Sequence, residues 1–141
     1  MGICTLLEDR LAFMTGPSAE MSELKKAMAV KGFALVSSDL HNNYVPFAAD
    51  FGPVNLGIVH RFCNAFMKRL SRTKDIGRVL VYCIENTAEA QANASFLLGA
   101  FLVINFGWTA EQAAEPFTGP SAPFKLRPFR DATTSLMQHI T

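Results

Sequence analysis

The chain lacks most of the features that would place a protein of 141 residues at a glance. It has three cysteines, Cys4, Cys63 and Cys83, an odd count with no CxxC pair and no zinc spacing. That pattern argues against a disulfide framework or a structural metal and points to reduced thiols in the cytoplasm or nucleus. Neither sign of charge dominates: 13 Lys and Arg stand against 12 Asp and Glu, for a formal net charge of +1. A balance so close to zero predicts no nucleic-acid partner and no general attraction to acidic membranes. No basic-plus-apolar signal opens the chain. The most apolar window, Ala92 to Trp108, is shorter than the roughly 20 residues a bilayer requires, and Asn93 and Asn105 interrupt it. No cofactor motif is present. The three histidines, His41, His60 and His139, are solitary, so no metal site is expected.

Other short signals fail for lack of company. "ADFGP", Ala49 to Pro53, contains a DFG triplet without the glycine-rich loop, lysine strand or HRD loop of a kinase. "NAS" at Asn93 reads as a glycosylation sequon, but it falls in an apolar helical stretch. "MGICTL" offers Gly2 for myristoylation and Cys4 for palmitoylation, yet Leu6 stands where the pattern asks for Ser or Thr. An acylated, membrane-tethered adaptor is therefore an alternative reading, and an unmodified start is preferred.

What the chain does have is a core. Half of its residues are apolar and only 18% are charged, which suits one globular domain over residues 1–141. "DRLAFMT" (Asp9 to Thr15) reads as a strand, and a helix capped by Ser18 follows and stops at Gly32. "FALVSS" is a second strand, and the proline-punctuated connection after it has room for an edge strand at Tyr44 to Phe47. Asn55 caps a helix whose stripe is Ile58, Val59, Phe62, Cys63, Phe66 and Leu70. Lys68, Arg69, Arg72 and Lys74 fall on its solvated face and C-terminal end. "IGRVLVYC" is unbroken in its apolar character after Arg78 and predicts a central strand covered on both faces. A helix from about Thr87 to Phe106, with Trp108 as a core lid, and a short helix capped by Thr109 complete an α/β layer fold with a small, mostly parallel sheet flanked by helices. The tail begins as a proline-rich loop.

"VYCIENTAEAQAN" delivers Cys83 to the mouth of a loop followed by a helix, the arrangement in which cysteine-dependent phosphatases present their nucleophile. Such chemistry needs an ionised thiol, loop amides that converge on phosphate and an arginine six residues on whose planar fork grips two oxygens. Here the sixth residue is Glu89, and Asn86 occupies the position where a glycine would let the backbone approach. A carboxylate about 4 Å from a doubly charged phosphate would repel it by roughly 8 kcal/mol at an effective dielectric near 20. Glu85 adds a second negative charge. No catalytic residue is expected in the degenerate loop of Cys83, Asn86 and Glu89. Cys4 and Cys63 are also followed six residues on by arginine, Arg10 and Arg69, but one lies at the terminus and the other in mid-helix.

Five segments taken together, "DRLAFMT", "NNYVPFAADFGPVNLGIVHRFC", "ANASFLLGAFLVI", "TAEQA" and "RPFRDA", resemble one known domain in order and separation. They are similar to the N-terminal, non-catalytic domain of the mitotic-exit, or cell-division-cycle, dual-specificity phosphatases of the protein tyrosine phosphatase superfamily. The likeness is strongest over residues 8–134. It implies a phosphatase-like α/β fold without catalysis of its own, because in that family a second, C-terminal domain carries the cysteine-and-arginine loop. It also implies an acidic groove that reads basic residues beside a phosphorylated one. Carried over onto matching segments, that role falls to Glu111 and Asp131, with Glu115 one helical turn past Glu111. The sequence departs from the family in having Tyr82-Cys83 at the end of the central strand, where a histidine-tyrosine pair is usual. Glu89 and Gln91 also replace basic residues.

Together these observations predict a degenerate phosphatase-like domain that works in substrate recognition or protein interaction for a phosphatase. Its expected partner is a phosphoprotein substrate or a phosphatase catalytic domain. A weak phosphatase using Cys83 is the enzymatic alternative.

Overall fold

The computed structural model describes residues 3–16, 21–37 and 54–124. Eight elements follow in chain order: β1 (Cys4–Leu7), β2 (Leu11–Gly16), α1 (Met21–Val30), β3 (Phe33–Ser37), α2 (Val54–Asp75), β4 (Val79–Glu85), α3 (Ala88–Phe106) and α4 (Ala110–Thr118). The four strands form one sheet in the order β1-β2-β4-β3. β4 runs parallel to both of its neighbours, with Met14 and Ser37 flanking Cys83 in register. β1 alone is antiparallel, joined to β2 by a tight turn in which Asp9 takes a positive φ of 59°. Aspartate tolerates that left-handed conformation because its short side chain bonds locally to the backbone.

β4 is central, as its unbroken apolar run predicts. Leu80 to Ile84 are all buried, and successive side chains serve opposite layers. Leu80, Tyr82 and Ile84 enter the larger core with α2, α3 and α4. Val81 and Cys83 enter a smaller cluster with Ala12, Met14, Leu35 and Met28 of α1.

α2 buries the stripe Val59, Phe62, Cys63, Phe66 and Leu70, while Arg61, Lys68, Arg69, Arg72 and Lys74 face water. Phe66 is the centre of an aromatic group. It stacks on Phe62 at 5.0 Å and meets Tyr82 and Phe101 edge-on at 5.6 and 5.0 Å. α3 is apolar on nearly every side because α2, α4 and the sheet surround it; its Asn93 is buried, which removes the sequon from use. Gly107 ends α3 at φ 72°, where its N–H donates to the Val103 carbonyl and the Trp108 N–H donates to that of Leu102. No helix among the described residues is long and apolar enough to cross a membrane.

Three boundaries differ from the sequence expectation. β1 was not anticipated as a separate strand; its 4 residues are too few for an alternating pattern to emerge. α2 begins at Val54, so Asn55 lies inside the helix and does not cap it. Cys83 lies two residues inside β4, because Ile84 and Glu85 continue the ladder opposite Thr15 and Gly16. The expected cap Ser18 and the edge strand at Tyr44 to Phe47 fall outside the described residues.

Candidate functional site

Two places deserve description as candidate sites: the junction between β4 and α3, and a cleft between β1 and α4.

The junction lies at the carboxyl end of the central parallel strand, the position where open α/β sheets usually bind ligands. Only Asn86 and Thr87 separate β4 from α3. The Thr87 hydroxyl accepts a hydrogen bond from the Ala90 N–H at 3.1 Å and so caps α3. The Thr87 N–H donates to the Glu85 carbonyl at 2.9 Å, which closes the turn. Gln91, buried one turn into the helix, donates through Nε2 to Asn86 Oδ1 at 3.1 Å. The helix terminus, with its positive dipole end, is thus answered by the chain's own oxygen atoms and by Glu89 in the first turn.

Each predicted loop residue can now be placed. Cys83 is 1% exposed and packs beneath α1, on the opposite side of the sheet from α2 and α3. Asn86 is exposed and engaged by Gln91, and Glu89 is exposed on the first turn of α3. The other thiols are no better prepared for chemistry at neutral pH. Burial pushes Cys63 up to about 11 and raises Cys4 as well.

The second place is an open cleft of about 660 Å³ lined by Ile3, Cys4 and Thr5 from the start of the chain and by Trp108, Gln112, Glu115, Pro116 and Ser121 from α4 and its flanks. β1 is the edge strand of the sheet, so one wall of the cleft is a strand whose outer side pairs with no other strand among the described residues. The other wall is held firmly. Thr109 and Gln112 form a reciprocal capping box, with hydrogen bonds of 2.9 and 3.1 Å, and Phe117 packs on Phe13 with ring centroids 4.8 Å apart.

Glu115 is the charged residue of this lining, and its carboxylate lies directly over Gly119, where any Cβ would collide with it. Trp108 is half-buried and lines the cleft while its other side packs against the core. Its role as a core lid is therefore only part of its position. Of the predicted recognition acids, Glu115 lines the cleft. Glu111 is exposed on the first turn of α4 and does not line it, and Asp131 lies outside the described residues. Thr5 and Gln112 are not singled out by the sequence, while Thr87 reads as the start of its helix and Gln91 as a replacement for a basic residue. The capping residues were visible as T-x-x-A and T-x-x-Q spacings, whereas the cleft joins segments about a hundred residues apart and had no local signal.

The segment from β4 to just past α4 is one-signed. Residues 79–124 carry the four carboxylates Glu85, Glu89, Glu111 and Glu115 and no lysine or arginine.

Comparison with known proteins decides the family. Residues 5–140 match the family described as dual specificity protein phosphatase, N-terminal half. The chain belongs to that family. Its relatives include the dual specificity protein phosphatase CDC14A of Mus musculus, 33% identical over 94% of this chain and 21% of the relative. The tyrosine-protein phosphatase CDC14 of Saccharomyces cerevisiae is 32% identical over 63% of this chain and 16% of the relative. The chain thus spans about a fifth of the length of the curated relatives it matches, and it matches them as a phosphatase N-terminal half.

Proposed function

We propose that this dual-specificity phosphatase N-terminal half performs no efficient phosphate-ester hydrolysis of its own and serves a phosphatase in substrate recognition or protein interaction. The observation that carries this reading is the β4–α3 junction. A thiol at the position of the nucleophile is buried under α1, and in the two-residue turn beyond it the Thr87 amide and the side-chain oxygens of Asn86 and Thr87 are bonded within the chain. No arginine or lysine between residues 79 and 124 can neutralise a phosphoryl group there. The names of the relatives place catalysis in those proteins as wholes, and the partner of this domain is then a phosphatase catalytic domain or a phosphoprotein held for one.

The surface assigned to recognition is the β1–α4 cleft. Glu115 attracts a lysine or arginine side chain beside the phosphorylated residue, Trp108 adds an aromatic face for the cation, and the open edge of β1 suits an extended peptide backbone. Glu111 extends the same negative field along α4, and Asp131 is retained as a third recognition acid.

Two measurements test this. Hydrolysis of a generic aryl phosphate by the purified chain should be indistinguishable between the wild type and Cys83→Ser. Turnover that disappears in Cys83→Ser would overturn the non-catalytic reading and establish the cysteine enzyme instead. A phosphoserine peptide with neighbouring arginines should bind more tightly than one with neighbouring glutamines, and Glu115→Gln should remove the difference. Equal binding of the two peptides sinks the cleft assignment.

A further inference from the structure

The acidity of residues 79–124 has a counterpart that the near-zero total charge conceals. The described residues from 21 to 78 carry nine cations, Lys25, Lys26, Lys31, Arg61, Lys68, Arg69, Arg72, Lys74 and Arg78, against two acids, Glu23 and Asp75. Several of these cations converge at the end of the sheet opposite the β4–α3 junction. α1 and α2 both run towards this end and stop there, one before β3 and the other before β4. The two turns are tied together. Arg78 donates through Nη1 to the Ala29 carbonyl at 2.8 Å, and the Val79 N–H donates to the Gly32 carbonyl at 3.2 Å. Lys31, Arg72, Lys74 and Arg78 therefore fall at or just beyond one pair of helix C-termini, with Lys26 a turn back along α1 and Asp75 as an acid of the same helix end.

Apolar side chains stand out from the same end. Among the described residues, four large hydrophobic side chains are exposed, and three of them are at helix ends here: Val30 at 87%, Ile76 at 66% and Ile104 at 51%. Val30 ends α1 next to Ala29, the residue that Arg78 grips, and Ile76 precedes Arg78 by two residues. Val30 gains nothing by facing water. The β1–β2 turn, with Glu8 and Asp9, lies at this same end, where the Leu80 N–H donates to the Arg10 carbonyl at 2.9 Å; five cations thus stand against three acids, and the β3 side, away from that turn, is the more basic.

We propose that this end of the domain, with Val30 and Ile76 exposed beside Lys26, Lys31, Arg72, Lys74 and Arg78, docks on an anionic lipid surface. The chemistry matches at two depths. Ammonium and guanidinium groups meet acidic headgroups, and two protruding aliphatic side chains enter the headgroup–acyl boundary between them. Each cation near an acidic bilayer changes partitioning by roughly fivefold at low ionic strength, and salt screens the effect within a Debye length. The inference is independent of the recognition reading, since the β1–α4 cleft uses other residues. It also differs from an acyl anchor at Gly2 and Cys4: Cys4 pairs with Phe13 and Leu7 with Leu11, so the chain start points away from this end.

The test is co-sedimentation of the 141-residue chain with vesicles of phosphatidylcholine alone or of phosphatidylcholine with phosphatidylserine, at low and high salt. Binding is expected with the acidic vesicles only and should fall at high salt. Lys31→Glu with Lys74→Glu should lower partitioning by at least about 25-fold, the loss of two cations at about fivefold each, and Val30→Ser with Ile76→Ser should lower it severalfold with every charge kept. All four positions are exposed, and an unchanged melting temperature in each double variant shows that folding is intact. Absence of sedimentation with acidic vesicles overturns the proposal, as does equal sedimentation of the charge-reversed variant. If soluble polyglutamate competes fully and Val30→Ser with Ile76→Ser has no effect, the surface serves an acidic protein segment and the lipid assignment fails.

Discussion

Gly119→Ala isolates the placement of one carboxylate. The Glu115 carboxylate occupies the space where a Cβ at position 119 would stand, while the Gly119 backbone, at φ −77° and ψ −179°, is one that alanine adopts without strain. The obstacle is the far end of a flexible, exposed side chain, so the fold yields by rotating Glu115 out of the cleft wall. Reduced unfolded-state entropy from the new alanine favours folding by about 0.4–1 kcal/mol, which offsets the side-chain adjustment. Net stability should stay within about 1 kcal/mol of the wild type, or roughly 5 °C in Tm. Binding should respond more sharply. A cation about 4 Å from Glu115 gains about 4 kcal/mol at an effective dielectric of 20 and about 1 kcal/mol in bulk water. Exposure puts the value at the lower end, so Gly119→Ala should weaken a basic phosphopeptide by about fivefold, close to Glu115→Gln and less so at high salt. Trp108, the single tryptophan, lines the same cleft and provides the fluorescence signal for the titration. Wild-type affinity in Gly119→Ala with a clear loss in Glu115→Gln would refute the claim that the carboxylate acts from its position over Gly119. A fall of more than about 10 °C in Tm would show that the collision involves more than a flexible side chain.

Three further outcomes follow from the packing and the caps. Thr87→Ala leaves the Ala90 N–H without its acceptor and should destabilise the domain by about 1 kcal/mol in urea unfolding, with Thr87→Ser close to the wild type. Phe66→Ala removes the ring that Phe62, Tyr82 and Phe101 share and should cost about 3–5 kcal/mol; a loss under about 1.5 kcal/mol would contradict its central place in the core. Cys63 is raised from 9.0 to about 11 by burial, so the folded state holds its proton more tightly than the unfolded state. Its influence is constant below pH 9, and stability falls as pH rises from 9 towards 11, by about 2–3 kcal/mol at most. The difference between the wild type and Cys63→Ala in chemical unfolding should follow that slope and be flat at neutral pH.

The strong periodicities were readable from the sequence. The stripe of α2, the unbroken run of β4 and the all-round apolarity of α3 each state how many faces an element buries, and the structure places them accordingly. The end of β4 was harder to locate. Cys83 ends the apolar run only if Ile84 is overlooked; with Leu80, Tyr82 and Ile84 on one face, Cys83 must lie on the other, inside the strand. The cleft was not legible at all, since it joins Ile3 to Thr5 with residues 108–121 through the packing of α4 on β2. The segregation of charge was also hidden. A sum of +1 is the same for mixed charges and for a basic half joined to an acidic one, and the direction of each helix decides where the basic residues end up.

The features that make the β4–α3 junction stable are the same ones that suit it poorly to phosphate. A cradle for an anion keeps several helix N-terminal amides unanswered until the ligand arrives, and its glycine lets the backbone close around the oxygens. Here Thr87 answers the Ala90 amide, the Glu85 carbonyl answers that of Thr87, and Gln91 fixes Asn86 across a two-residue turn. Each bond stabilises the domain without any ligand and takes away a donor or a degree of freedom that catalysis would use. No single substitution reverses this. Removing the Thr87 hydroxyl releases one amide but leaves Glu85 and Glu89 beside it, and replacing Glu89 with arginine adds a cation while Cys83 stays beneath α1. On the proposed non-catalytic reading, phosphate chemistry at this junction would call for a longer turn, a change of charge and a shift of the cysteine by at least two residues along β4. That separation in both sequence and register favours the β1–α4 cleft as the seat of the proposed recognition role.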